Sequence, residues 1–165
     1  MWEEVTRHDV VMATVQDFAE RSGAVRIAVL LDRGPERQPP LIECEAGQPV
    51  TVTQGEEQVV VPGPALAGVA PLHVHAPKAV PATALEVKPE TGEVHAPIGL
   101  IDALVEAVRD LAEALGGKTV AMGDWATRSG EVLSIAARVG EPAVLAFGEH
   151  EFELGPPNQG NSDPD

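Results

Sequence analysis

The sequence predicts an α+β fold of two tandem α-β-β-β-β repeats forming a pseudo-twofold fused dimer, with antiparallel sheets and the helices on one face. Three observations predict it: the chain matches itself at an offset of 93 residues, each copy opens with an apolar helical stripe that stops at a glycine, and each copy closes with a hairpin of the same register.

Residues 9–61 align with 102–154 without gaps, and 12 of the 53 positions are identical. A composition this rich in alanine, valine, glycine and glutamate gives roughly four by chance. The identities include Asp17/Asp110, Gly23/Gly116, Ala28/Ala121, Ile42/Ile135, Pro49/Pro142 and Gly55/Gly148.

The first helix carries Val11, Val15 and Phe18 on one face. The second carries Ile101, Leu104, Val105, Val108, Leu111, Ala112 and Leu115. Gly23 and Gly116 stand where each stripe stops, as left-handed helix ends do. Pro97 suits the first turn of the second helix, where its missing N–H costs nothing.

Each helix is followed by strands. Val25, Ile27, Val29 and Leu31 alternate in the first copy, and the counterpart runs from Lys118 through Val120 and Met122 to Trp125. Leu41–Glu45 and Leu133–Arg138 come next, with Ile42/Cys44 matching Ile135/Ala137 as inward residues. Gly55-Glu56 and Gly148-Glu149 then set glycine first in a two-residue turn, as a type II′ hairpin requires.

That turn pairs Val50/Val61 and Val52/Val59 on one face of the first hairpin, with Thr51/Val60 and Thr53/Gln58 on the other. In the second, Ala143/Leu154 and Leu145/Phe152 share the apolar face, and Val144/Glu153 and Ala146/Glu151 the outer one. A one-residue slip would turn the glutamates inward. Neither unit buries its apolar face well alone, so the economical arrangement packs the copies about a pseudo-twofold axis, as in a homodimer fused into one chain.

The predicted organisation is a first repeat over 1–61, a proline-rich connector over 62–97, a second repeat over 98–154 and a disordered tail over 155–165. In the connector Leu72-His73-Val74-His75 alternates like a strand. Leu85–Lys88 and Glu93–His95 read as a short hairpin turning through Pro89-Glu90-Thr91-Gly92.

A formal charge of −15 repels phosphate backbones and anionic lipid, so neither nucleic acid nor membrane is expected as a partner. The single cysteine, Cys44, excludes an intramolecular disulfide framework and a multi-cysteine zinc site. The acidic start, Met1-Trp2-Glu3-Glu4, differs from a secretory signal, and no apolar run is long enough to span a bilayer; cytoplasmic residence is the expectation.

Residues 11–46 resemble the opening of a GAF-type ligand-sensing domain: a helix, then Val25-Arg26-Ile27-Ala28-Val29-Leu30-Leu31-Asp32, then a second strand. The segment after the second helix resembles a roadblock-type scaffold. Each resemblance covers about a quarter of the chain and brings no site residues. The helix-plus-strands repeat is also similar to the half-domains of a DNA sliding clamp. That function is excluded by charge, since Glu3, Glu4, Asp9, Asp17 and Glu20 outnumber Arg7 and Arg21 on the first helix. The second helix is acidic too, and acidic helices do not cradle DNA.

Three groups of residues offer candidate chemistry. His73 and His75, two apart on a predicted strand, face one side, and with His95 on a nearby strand they could hold a transition metal. No carboxylate is placed beside them, so neither a metal nor any other cofactor is expected. Cys44 reads as a small buried thiol rather than a nucleophile. Asp124, Trp125 and Arg128 stand where the first copy has hydrophobic and turn residues, and an exposed tryptophan beside fixed charges would anchor a partner or ligand.

No phosphate loop, nucleophile elbow, zinc-protease helix or dinucleotide fingerprint occurs. The expectation is a non-catalytic cytoplasmic binding or scaffold module acting through its sheet surface or the cleft between repeats, as a monomeric pseudo-dimer or a homo-oligomer. The alternative is a small-molecule or metal-dependent enzyme with its site in the connector (His73, His75, His95) or near Trp125. The sequence does not decide whether any catalysis occurs.

Overall fold

A computed structural model describes the chain apart from residues 1, 32–38, 46–47, 63–67, 75–80, 89, 117 and 155–165, and apart from the side chains at 2–8, 82 and 154. Helix α1 (Trp2–Ser22) leads into four strands: β1 (Arg26–Leu30), β2 (Leu41–Glu45), β3 (Val50–Gln54) and β4 (Glu57–Val61). A 3-10 turn (Ala82–Ala84) and the short strands β5 (Glu86–Lys88) and β6 (Glu93–His95) follow. Helix α2 (Leu100–Leu115) then leads into β7 (Val120–Ala126), β8 (Val132–Arg138), β9 (Ala143–Phe147) and β10 (His150–Leu154).

Eight of the strands form one sheet in the order β10-β9-β8-β7-β1-β2-β3-β4, and every neighbouring pair is antiparallel. β1 and β7 meet at its centre through Ile27↔Gly123 and Val29↔Ala121. β5 and β6 pair only with each other. The architecture is therefore α+β, with two helices, one large antiparallel sheet and a small one.

Strand alternation decides which face is buried. Ile27, Val29, Ile42, Cys44, Val50, Ala121, Trp125, Leu133, Ile135, Ala137, Ala143, Leu145 and Phe147 all lie on one side, and each is at most 4% exposed. They join Val11, Val15 and Phe18 of α1 and Leu104, Val105, Val108 and Leu111 of α2 in a single core. Both helices therefore lie on that face, α1 against β1 and β2, α2 against β7 and β8. The aliphatic side chains lost from water contribute about 1.5–3 kcal/mol each, which is how a chain with so few aromatics fills a core.

The connector adds to the same side. Leu85 and Val87 are buried in the core, and Val94 packs against it. The β5–β6 turn reaches the far edge of the sheet, where a Cβ on Gly92 would lie 3.2 Å from Nδ1 of His150 and 3.5 Å from the Phe152 ring.

Both large hairpins have the predicted register, residue for residue. Gly55 has φ 63° and Gly148 φ 57°, conformations that β-branched residues resist. Replacing either glycine with valine should lower stability by more than about 1 kcal/mol. Urea denaturation of both variants measures this, and unchanged midpoints would contradict it.

The structure corrects three readings of the sequence. First, the ungapped offset fails across the first strand. Ile27, Val29 and Leu31 face the helices, and so do Ala121, Gly123 and Trp125, an offset of 94 rather than 93. Ala28 pairs with Met122 on the outer face while Ala121 is core, so that identity is a coincidence of composition. The cause is a longer connection: Ile27 follows Ser22 by five positions, and Ala121 follows Leu115 by six.

Second, Pro97 lies before α2, whose N-cap is Gly99 at φ 85°. The Pro97 carbonyl instead accepts the Leu100 N–H at 3.1 Å. Third, Leu72–Val74 is not a strand. It is tied to α1 by the Leu72 N–H on Thr14 Oγ1 (2.9 Å) and by Arg21 Nη2 on the Val74 carbonyl (2.7 Å). Val59 and Val61 share the core-side parity, yet Val59 is 57% exposed, because β4 is the edge of the sheet. The tail over 155–165 lies outside the described residues.

Candidate functional site on the open sheet face

Among the described residues, no helix or strand packs on the face of the large sheet opposite the helices. Its centre is apolar and low in profile. One cross-strand row runs Ala28↔Met122↔Ala136↔Val144, all small or slender side chains. The next runs Glu45↔Arg26↔Asp124↔Ser134↔Ala146. Strand pairing therefore sets a line of charge beside a line of methyl groups.

Arg26 is the hub of that line. Its Nη2 pairs with Glu43 Oε2, and its Nη1 lies 3.4 Å from Asp124 Oδ2. Asp124 is held in turn by Ser134, whose hydroxyl donates to Oδ1 at 2.8 Å. Burial works against the guanidinium's charge, but the hydrogen bond and charge of Glu43, with those of Asp124, outweigh it and raise the Arg26 pKa.

Beside this network lies a depression of about 260 Å³ lined by Arg26, Glu43, Glu45, Gln48, Pro49, Thr51 and Val60. Its carboxylates outnumber its one cation, and Glu45 is exposed with no ion-pair partner among the described residues. The arrangement offers fixed charges and hydrogen-bonding groups on a rigid sheet. It shows no nucleophile with a base beside it.

Asp124, Trp125 and Arg128 are not brought together. Asp124 lies on the open face, in the network just described. Trp125, next along the strand, must point the other way. It is fully buried, and its Nε1 donates to the Ser22 carbonyl at 3.2 Å. The expectation of an exposed tryptophan anchor is therefore wrong: Trp125 is core. Arg128 turns to the connector, its backbone N–H donating to the Leu85 carbonyl (2.7 Å) and its Nη2 to the Thr83 carbonyl (3.0 Å).

The histidines are also separated. His73 is exposed in the segment tied to α1, over β1 and β2, whereas His95 belongs to the hairpin that reaches β10. His95 Nε2 lies 3.4 Å from Glu93 Oε1, with both side chains more than half exposed. His75 lies outside the described residues. No cluster of three or more potential metal ligands forms among the described residues.

Cys44 faces the core at 2% exposure. Burial raises the pKa of its thiol, and the charges of Glu20 and Glu45 push the same way. Its reaction with a thiol reagent near pH 8 should therefore be slow in the native protein and fast after denaturation. Equal rates in the two states would show the thiol to be accessible.

Arg26 and Glu43 were not apparent from the sequence, because the network joins strands 17 and 98 positions apart. The only local signal was a charge in an otherwise apolar strand. No helix of the described residues is long and apolar enough to cross a membrane. Compared with known proteins, the chain matches no family, no curated protein and no solved structure.

Proposed function

We propose that the chain is a fused dimer of two α-β-β-β-β units that works in the cytoplasm as a non-catalytic binding module, using the open face of its sheet. The observation that carries this reading is the face itself, which no helix or strand covers among the described residues. Eight strands place an apolar centre next to a fixed charged network, with both helices on the other side. Apolar surface rimmed by polar groups on a rigid scaffold suits recognition.

Three features support the duplication. The hairpin pairing Val52↔Val59 corresponds to Leu145↔Phe152, and Ile42↔Val52 to Ile135↔Leu145, each at an offset of 93. Ile42 and Ile135 are both on the second strand after a helix. β1 and β7 pair antiparallel at the centre of the sheet, as a pseudo-twofold axis between them requires.

The test places a charge on the open face. Met122→Lys sets a cation between Ala28 and Ala136, while Glu113→Lys alters an exposed position of α2. Native mass spectrometry of the protein isolated from its own host should show a bound species with the unaltered chain and with Glu113→Lys, and lose it with Met122→Lys. Retention in folded Met122→Lys would remove the open face as the binding surface.

A further inference from the structure

The two ends of the eight-stranded sheet differ in a way that the open face does not explain. At one end β10 reads His150-Glu151-Phe152-Glu153-Leu154, an edge with alternating carboxylates, and the β5–β6 turn lies against His150 and Phe152. Charge and cover are the usual means of keeping an edge from pairing with another chain. At the other end β4 reads Glu57-Gln58-Val59-Val60-Val61, with its one charge at the turn and, among the described residues, no turn or strand laid against it. Val59 and Val60 are 57% and 58% exposed, and among the described residues β3 is the only strand that pairs with β4. An uncharged run of β-branched residues on an unpaired edge is a template for an added strand.

Charge identifies the strand that would be added. Glu56 and Glu57 stand exposed at the turn end of β4. At its other end the depression beside Val60 presents Glu45, which has no ion-pair partner among the described residues, beside Glu43, which is paired with Arg26, and the chain as a whole carries −15. A second copy of this chain would bring the same excess of carboxylates to the edge. A strand with basic residues at its ends and apolar residues between would instead meet valines in the middle and carboxylates at both ends.

We infer that β4 is a docking edge for an extended, basic segment of a partner protein, which adds as a ninth strand and sets a lysine or arginine into the depression at Val60. The inference rests on the binding-module reading only in assuming a partner. It places that partner's backbone on the β4 edge, with one basic side chain reaching the depression at the margin of the open face.

The test uses the full chain and defined probes. A nine-residue peptide with lysines at both ends and valines between is compared with its glutamate-ended counterpart and with an N-methylated form of the lysine peptide that cannot complete a ladder. With the first peptide, amide NMR should show shifts and slowed exchange over 57–61, and binding should weaken with salt. Val60→Lys should reduce its affinity at least about tenfold, Val60→Thr should retain it, and Met122→Lys should leave it unchanged. The other two peptides should not bind. Shifts that avoid β4, equal binding of the glutamate peptide, or loss of affinity in Met122→Lys but not Val60→Lys would each overturn the inference. So would a peptide-free dimer that Val59→Lys breaks apart, since the occupant would then be a second copy.

Discussion

Replacing Trp125 with alanine should lower stability by about 3–5 kcal/mol, the largest loss expected from any single truncation in the chain. The indole is fully buried, and its N–H closes a hydrogen bond to the Ser22 carbonyl, so the side chain joins β7 to the end of α1. The ring occupies space left by Gly123. A Cβ there would lie 2.6 and 2.7 Å from two ring carbons of Trp125 and 3.1 Å from Ile27 Cδ1. Gly123→Ala alone should therefore cost about 1–3 kcal/mol by overpacking.

On β1 and just past its end, the core-facing pair Val29 and Leu31 sets a medium side chain beside a medium one rather than none beside a large one. The double substitution Gly123→Val with Trp125→Leu should thus be less damaging than the sum of its single changes, because each fills or vacates what the other needs. Equilibrium denaturation of the four proteins measures the coupling. Strict additivity would show that ring and glycine do not share one space.

The same pair explains why much of the fold could be read and one strand could not. Hairpin registers are set locally by Gly55-Glu56 and Gly148-Glu149, and the alternation on either side agrees with them, so ten cross-strand pairs follow from two twelve-residue windows. The first strand has no such local anchor. Its register depends on how many residues connect it to the helix, and a one-residue difference exchanges the two faces. Reading Val120 and Met122 as inward left Trp125 without a consistent place. Requiring the largest side chain to lie on the same face as its strand's core residues would have selected Ala121, Gly123 and Trp125.

The candidate site was less legible for the same reason at longer range. Arg26, Glu43, Asp124 and Ser134 come from four strands, and they adjoin only because β1 pairs with β7 at the centre. Nothing in the spacing of these residues specifies that contact. Asp124 was grouped with its sequence neighbours, whereas a strand sends neighbours to opposite faces. The exposure of Val59 and Val60 was likewise invisible, since valine repeats suggest burial until the strand is known to lie at an edge.

Replacing Arg109 with methionine should raise stability by about 1–2 kcal/mol, an unusual direction for a change in a partly buried helical residue. Nη1 and Nη2 of Arg109 are buried and have no hydrogen-bond partner among the described residues. Glu106 and Glu113 stand one turn to either side on α2, but both are exposed and neither pairs with it. Removing a guanidinium from water without replacing its hydrogen bonds is costly, and more so for a charged group than for a neutral one. Methionine keeps the unbranched stem and its packing while removing the charge, so the folded state loses a penalty and little else. Arg109→Lys should show no comparable gain, because it retains a cation at the same depth. Urea denaturation of the two variants beside the unaltered chain decides the matter. A lower midpoint for Arg109→Met would mean that the guanidinium has a counter-charge in solution, and that its burial is a paired one.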